Sequence, residues 1–206
     1  MRVSVSSYNP INPCRGVAEA IMSASFVSKP VISVSEKVFS QDKQELLMQG
    51  EILVETRSHT AWGGGVTAWM YLPVVREKVW QQLTDYPRWV HYFPDITKSE
   101  VLQKGEVKRL YQAAKKTFLF FSAEVEIYLK VAEALGQHIQ FKMEKGTFND
   151  FTADLKLLDC ENGTLLSYSV QATPTIPIPS IFIQQAMNFE LPTNMRKMRQ
   201  VLCKGH

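Results

Sequence analysis

The residue types best suited to metal or covalent chemistry are sparse in this chain and badly spaced for it. Cys14, Cys160 and Cys203 stand alone with no Cys-x-x-Cys pair, and His59, His91, His138 and His206 show no ligand spacing. A metal site needs three or four such side chains, usually delivered in close pairs, so none is expected. Three scattered cysteines fit reduced thiols in a cytoplasmic compartment better than a disulfide framework. Gly63-Gly64-Gly65 lacks both the downstream Lys of a phosphate loop and the spacing of a dinucleotide turn, so it reads as a hairpin loop and no cofactor is expected. General acid–base chemistry is what remains, and it needs a proton-exchanging side chain aimed into an enclosed space. Glu124, Glu126, Asp154 and Tyr168 are the nearest candidates. Where they point depends on the elements that carry them.

From Gly50 onward the pattern is strand-like, with Ile52 and Val54 alternating against Leu53 and Glu55, and residues 66–72 form a second strand closed by Pro73. Val75, Val79 and Leu83 then recur at helical spacing, with Trp80 beside them, and Pro87 and Pro94 bound a short aromatic helix or turn at 88–93. Further strands are expected at 97–103, 106–113, 117–131, 138–144, 148–159 and 164–173, separated by turn residues, which makes an antiparallel meander. Asn162-Gly163-Thr164 satisfies a glycosylation sequon, but Asn-Gly between two strand-like runs is read as a hairpin turn.

Within the meander, Val125, Ile127 and Leu129 oppose Glu124, Glu126 and Lys130, while Ile139, Phe141 and Met143 oppose Gln140, Lys142 and Glu144. One face of the sheet is thus apolar and the other wet, and Glu124 and Glu126 fall on the wet phase. Pro174, Pro177 and Pro179 make a stiff connector, Ser180 stands as an N-cap, and residues 181–202 read as an amphipathic helix kinked at Pro192. Its apolar positions Phe182, Ala186, Phe189, Leu191, Met195, Met198 and Leu202 must cover the apolar face of the sheet.

Composition fits one core. The 206 residues are 45% hydrophobic, and 23 basic against 20 acidic residues, evenly spread, give a net charge of +3 without the clustered basic stripe of a nucleic-acid binder. No stretch approaches the roughly 18 to 20 consecutive apolar residues of a membrane span. The first 45 residues are rich in Ser, broken by Pro10, Pro13 and Pro30, and poor in acids, so we read 1–45 as a loosely ordered extension and 46–206 as a single domain. Arg2, Arg15 and Lys29 among those serines leave organellar targeting open, although no continuous apolar stretch supports secretion.

Leu72-Pro73, followed by Val79-Trp80, Leu83-Thr84-Asp85-Tyr86 and the segment from Trp89 to Phe93-Pro94, resembles the polyketide cyclase/dehydrase and coenzyme-Q-binding-like branch of the START and Bet v 1-like (SRPBCC) superfamily. Pro177-Ile178-Pro179, Leu191-Pro192 and the run from Met195 to Arg199 resemble the C-terminal helix of that branch. The resemblance spans about residues 50 to 203. It implies an α+β helix-grip fold, with a curved antiparallel sheet of about seven strands wrapped around a long C-terminal helix. Trp80, Asp85 and Pro94 have an architectural reading of their own and locate no chemistry.

The same resemblance implies a cavity between sheet and helix that binds, transports or chaperones a hydrophobic small molecule or lipid of the quinone, isoprenoid, fatty acid or polyketide class. The expected lining is Trp69, Phe118, Phe120, Ile127, Leu129, Phe141, Met143, Phe151 and Leu155 from the sheet, with Phe182, Gln185, Ala186 and Phe189 from the helix. Binding is placed ahead of catalysis, because the branch carries no motif that singles out a catalytic residue. Two alternatives are a polyketide cyclase/dehydrase-type enzyme and a membrane-surface or protein-partner module. The latter would use the basic face Arg196, Lys197, Arg199 and Lys204 and an exposed aromatic cluster of Trp89, Tyr92 and Phe93 at the mouth.

Overall fold

The computed structural model describes residues 39–118, 121–175 and 180–204. Phe120, Cys14, His206, Pro177, Pro179 and residues 1–38 of the extension lie outside them. The described chain begins with helix α1 (Gln41–Met48), which straddles the expected domain boundary at 45 and buries Leu47. Eight strands follow: β1 (Ile52–Ser58), β2 (Gly64–Leu72), β3 (Ile96–Gln103), β4 (Lys108–Phe118), β5 (Phe121–Ala134), β6 (His138–Gly146), β7 (Phe148–Cys160) and β8 (Gly163–Pro174). Between β2 and β3 lie helix α2 (Arg76–Leu83), a 3-10 turn (Tyr86–Arg88) and the single-turn helix α3 (Trp89–Tyr92); helix α4 (Ser180–Cys203) ends the fold.

The strands form one antiparallel curved sheet in the order β1-β2-β8-β7-β6-β5-β4-β3. This is the α+β helix-grip architecture, with eight strands in place of about seven. The strand expected at 106–113 runs on to Phe118, and the one expected at 117–131 begins at Phe121. Phe118 and Phe121 pair with each other, so β4 and β5 form a hairpin. Between β7 and β8 the expected turn is present: Cys160 pairs with Gly163, leaving Glu161 and Asn162 as the two connecting residues, with Glu161 at φ +50°.

The triple glycine departs from its reading as a flexible loop. Gly64 and Gly65 are buried residues of β2, and the turn lies before them. A Cβ on Gly64 would stand 3.2 Å from Ile183 Cγ2 and 3.4 Å from Gln184 Cγ, so the glycine lets α4 approach the strand. α4 runs beside β1 and β2, with Gln184 Nε2 donating to Ser58 Oγ at 3.3 Å near one end and Arg199 Nη1 to the Gly50 carbonyl at 2.6 Å near the other.

The concave face carries the core. Alternation puts Val66, Ala68, Met70 and Leu72 of β2, Leu166 and Tyr168 of β8, Ala153, Leu155 and Leu157 of β7, Ile139 and Phe141 of β6, and Ile127, Leu129 and Val131 of β5 inside. Leu191, Met195, Met198 and Leu202 of α4 close over one part of this face. Trp89, Tyr92 and Phe93 are buried at 3%, 0% and 9% exposure, which corrects their reading as an exposed cluster at the mouth. The Trp89 ring stacks on Phe93 at 5.6 Å and meets Phe141 edge-on at 5.0 Å, and its Nε1 donates to the Leu83 carbonyl at 2.9 Å. The amphipathic rings of this segment are inside because a bent sheet leaves a hollow that α3 fills.

Candidate functional site

Burial on the concave face is graded along the strands. Where Leu157, Leu166, Ile139 and Val131 stand, the side chains are fully buried, and α2 lies against β7 and β8 there. Toward the end where β6 and β8 finish and β5 and β7 begin, Met143, Phe148, Phe151 and Val170 are only partly covered. The element above that end is the first half of α4, residues 180–190, where Ile183, Gln184 and Met187 lie against β2 at Gly64. Behind Pro192 the helix buries Met195, Met198 and Leu202, while Phe189 ahead of it is 76% exposed. The result is a tightly packed floor and a loosely covered apolar wall under one half of a helix.

The far end of the concave face is sealed by charge. Lys108 Nζ lies 2.6 Å from Glu133 Oε1, the Tyr86 hydroxyl donates to the same oxygen, and the Lys108 ammonium sits over the Tyr86 ring. Burial, reinforced by the Glu133 hydrogen bond, pushes the Tyr86 hydroxyl well above its ordinary pKa. In the middle of the face Gln112 Nε2 donates to Ser99 Oγ at 3.1 Å, and Ser99 Oγ to the Tyr86 carbonyl at 2.8 Å. Tyr168 differs from these groups. It is 7% exposed, and its ring lies 5.7 Å from Phe93. Burial alone raises its pKa.

The expected lining residues divide accordingly. Ile127, Leu129, Phe141 and Leu155 are buried on the concave face, with Phe141 locked between Trp89 and Tyr86, so they belong to the floor. Met143 and Phe151 stand on the loosely covered wall. Trp69 is on the opposite face: its neighbours Ala68 and Met70 point inward, and its ring meets Phe39 edge-on at 5.4 Å. Gln185 and Phe189 are exposed and Ala186 half-buried, about a third of a turn or more away from the Leu191–Met195 stripe that meets the core. The side chains of Phe118 and Phe182 lie outside the described set. Sequence reading missed Phe148, Val170, Ile183 and Met187 for the wall, although the alternation of Tyr168, Val170 and Ala172 was available.

Of the acid–base candidates, only Tyr168 points inward. Glu126 is exposed and accepts from the Tyr111 hydroxyl at 2.6 Å, Glu124 is exposed, and Asp154 on the outer face lies 2.7 Å from His138 Nε2 and 3.1 Å from Gln140 Nε2. Among the described residues no group of three His, Cys, Asp or Glu side chains could hold a metal, and no helix is long and apolar enough to cross a membrane. On α4, Arg196 and Lys197 are exposed, whereas Arg199 is half-buried on Gly50.

Comparison with known proteins places this geometry. The profile of one family, described as polyketide cyclase / dehydrase and lipid transport, matches residues 72–199. No curated protein matches the sequence. Among solved structures, a STAR-related lipid transfer protein fragment from Xanthomonas axonopodis is 18% identical, covers 73% of this chain and 93% of its own, and superposes with a TM-score of 0.59. A START superfamily protein from Mycobacterium smegmatis is 12% identical, with 74% and 97% covered and a TM-score of 0.56. The Zhui aromatase/cyclase from Streptomyces sp. R1128 is 11% identical, with 72% and 94% covered and a TM-score of 0.54. At such identities the likeness concerns the fold.

Proposed function

Because the chain belongs to the polyketide cyclase/dehydrase and lipid transport family, we propose that it binds a hydrophobic small molecule or lipid between the concave face of the sheet and residues 180–190 of α4. The observation that supports this reading is the gradient of burial. Met143, Phe148, Phe151 and Val170 are apolar, point inward and are left partly covered, while the floor a few residues away is packed shut. Large apolar side chains held in that state gain free energy from an apolar guest, at about 25 cal/mol per Å² removed from water. The guest classes that suit such a wall are quinones, isoprenoids, fatty acids and polyketides, and the similar lipid transfer protein and aromatase/cyclase support that range. Met143 and Met187 give the wall adaptable surface.

Native mass spectrometry of the gently purified protein tests the reading, followed by extraction of whatever it carries. A stoichiometric apolar adduct is expected, lost in Val170→Trp, which fills the wall, and kept in Trp69→Ala, which alters the outer face. An empty protein that also fails to take up a panel of quinones, fatty acids and polyketides would overturn it.

A further inference from the structure

The side of α4 turned away from the sheet carries its own pattern. Ile183 and Met187 lie on β2 at Gly64, so the front half of the helix presents Ile181, Gln185 and Phe189 outward, each one turn after the last. Ile181 is 55% exposed and Phe189 76% exposed. Behind Pro192, Met195, Met198 and Leu202 face the core, which leaves Arg196 and Lys197 outside. Arg196 follows Phe189 by seven residues, about two turns, and so continues the same side of the helix. Among the described residues of α4 the only acid, Glu190, is half-buried, so no negative charge interrupts that exposed row.

A single apolar side chain in water is ordinary. What selects a partner here is the order along one helix side: apolar residues on the half that covers the loosely packed wall, cations on the half fastened to the core. Ile181 and Phe189 stand ~12 Å apart with Gln185 between them, so they make no continuous patch for a shaped protein groove. A fluid interface takes each singly, its acyl boundary receiving the apolar side chains and its anionic head groups the cations. We infer that the outward side of α4, from Ile181 to Lys197, docks on a membrane surface that carries anionic lipid. The basic face expected from the sequence then has its apolar companions in Ile181 and Phe189, since Trp89, Tyr92 and Phe93 are buried. Nothing in this contact depends on what lies beneath the helix.

Co-sedimentation of the full chain with vesicles tests this, using phosphatidylcholine alone and phosphatidylcholine mixed with phosphatidylserine. Binding to the mixed vesicles at low salt is expected, falling as salt is added, with little binding to the neutral ones. Phe189→Ser is expected to weaken it by at least roughly 10-fold, the effect of withdrawing one large apolar side chain, and Arg196→Gln with Lys197→Gln by roughly 30-fold together. All three positions are exposed, so the melting temperature should hold. Lys130→Gln with Lys142→Gln, which removes the same charge from the outer face of the sheet, is expected to leave binding intact. Failure to bind the mixed vesicles, or binding that Phe189→Ser does not weaken or that the Lys130 and Lys142 pair weakens equally, would overturn the assignment. Retention on a polyglutamate column through Arg196 and Lys197, without vesicle binding, would point to an acidic protein instead and overturn it too. A protein that carries an apolar guest yet ignores the vesicles would overturn this assignment alone and leave the binding reading standing.

Discussion

Lys108 Nζ and Glu133 Oε1 meet at 2.6 Å on the inner edge of the sheet, and both side chains are more than two-thirds buried. The carboxylate also accepts the Tyr86 hydroxyl, so one acid holds a cation and a phenol. Removing it strands both. Glu133→Ala is expected to destabilise the protein by about 1–3 kcal/mol, and Lys108→Ala by a similar amount because it leaves the carboxylate facing Tyr86 alone. Urea denaturation of the two variants measures this, and an unchanged midpoint in both would mean that the cluster is solvated.

The buried phenols set a limit at high pH. Tyr86, Tyr92 and Tyr168 are all raised above the ordinary value of 10.0 by burial, with Tyr92 reaching about 12. Below pH 10.0 both the folded and the unfolded chain are protonated and the full stability is present. As the pH rises past that value the unfolded chain ionises first, so stability falls toward pH 12. Thermal melts over that window are expected to show a steep loss, made shallower by Tyr86→Phe or Tyr168→Phe. Tyrosinate absorbance should report the three phenols only as the fold opens.

Two glycines are fixed by close contact. A Cβ on Gly163 would lie 2.2 Å from the Leu72 carbonyl oxygen, which cannot move without tearing the β2–β8 pairing, so Gly163→Ala is expected to cost about 2–3 kcal/mol or more. Gly64→Val would press on Ile183 and Gln184, displacing the first half of α4 rather than the sheet. Faster hydrogen exchange confined to residues 180–190 would mark that displacement, and its absence would show that α4 absorbs the added methyl groups in place.

Trp89 joins four rings, those of Tyr86, Tyr92, Phe93 and Phe141, and one carbonyl. Trp89→Phe keeps much of the stacking on Phe93 and Phe141 but leaves the buried Leu83 carbonyl without its donor, at an expected cost of about 1–3 kcal/mol. Trp89→Ala also opens a void against Phe141 and is expected to cost about 3–5 kcal/mol. Chemical denaturation of both variants separates the hydrogen bond from the packing.

Period-two alternation is local, and for that reason the inner faces of β5 and β6 were legible in the sequence: Ile127 and Leu129, then Ile139, Phe141 and Met143, all point as their spacing says. β2 shows where such reading stops. The large Trp69 looks like a cavity residue and the small Ala68 does not, yet the face is set by the neighbours Val66 and Met70 and by the helix pressing on Gly64. α4 carries two apolar stripes, one through Phe182, Ala186 and Phe189 and one through Leu191, Met195 and Met198, and spacing alone cannot say which meets the sheet. The aromatic segment after Pro87 has the composition of an exposed anchor. Its burial follows from the bend of the sheet, a property of all eight strands together rather than of any one segment.

Pro192 gives α4 two independent fates. It has no N–H to offer the carbonyl one turn earlier, and the Thr193 hydroxyl reaches back to the Phe189 carbonyl at 3.4 Å beside the gap. The half behind it is fastened to the core by Met195, Met198 and Leu202, while the half before it rests on β2 through Ile183 and Met187. Lifting the front half therefore need not draw the rear half with it. For a molecule lodged beneath that front half, residence time becomes a property of about ten residues, separable from the melting temperature of the whole protein, and open to adjustment at Ile183 or Met187 without disturbing the fold that holds it.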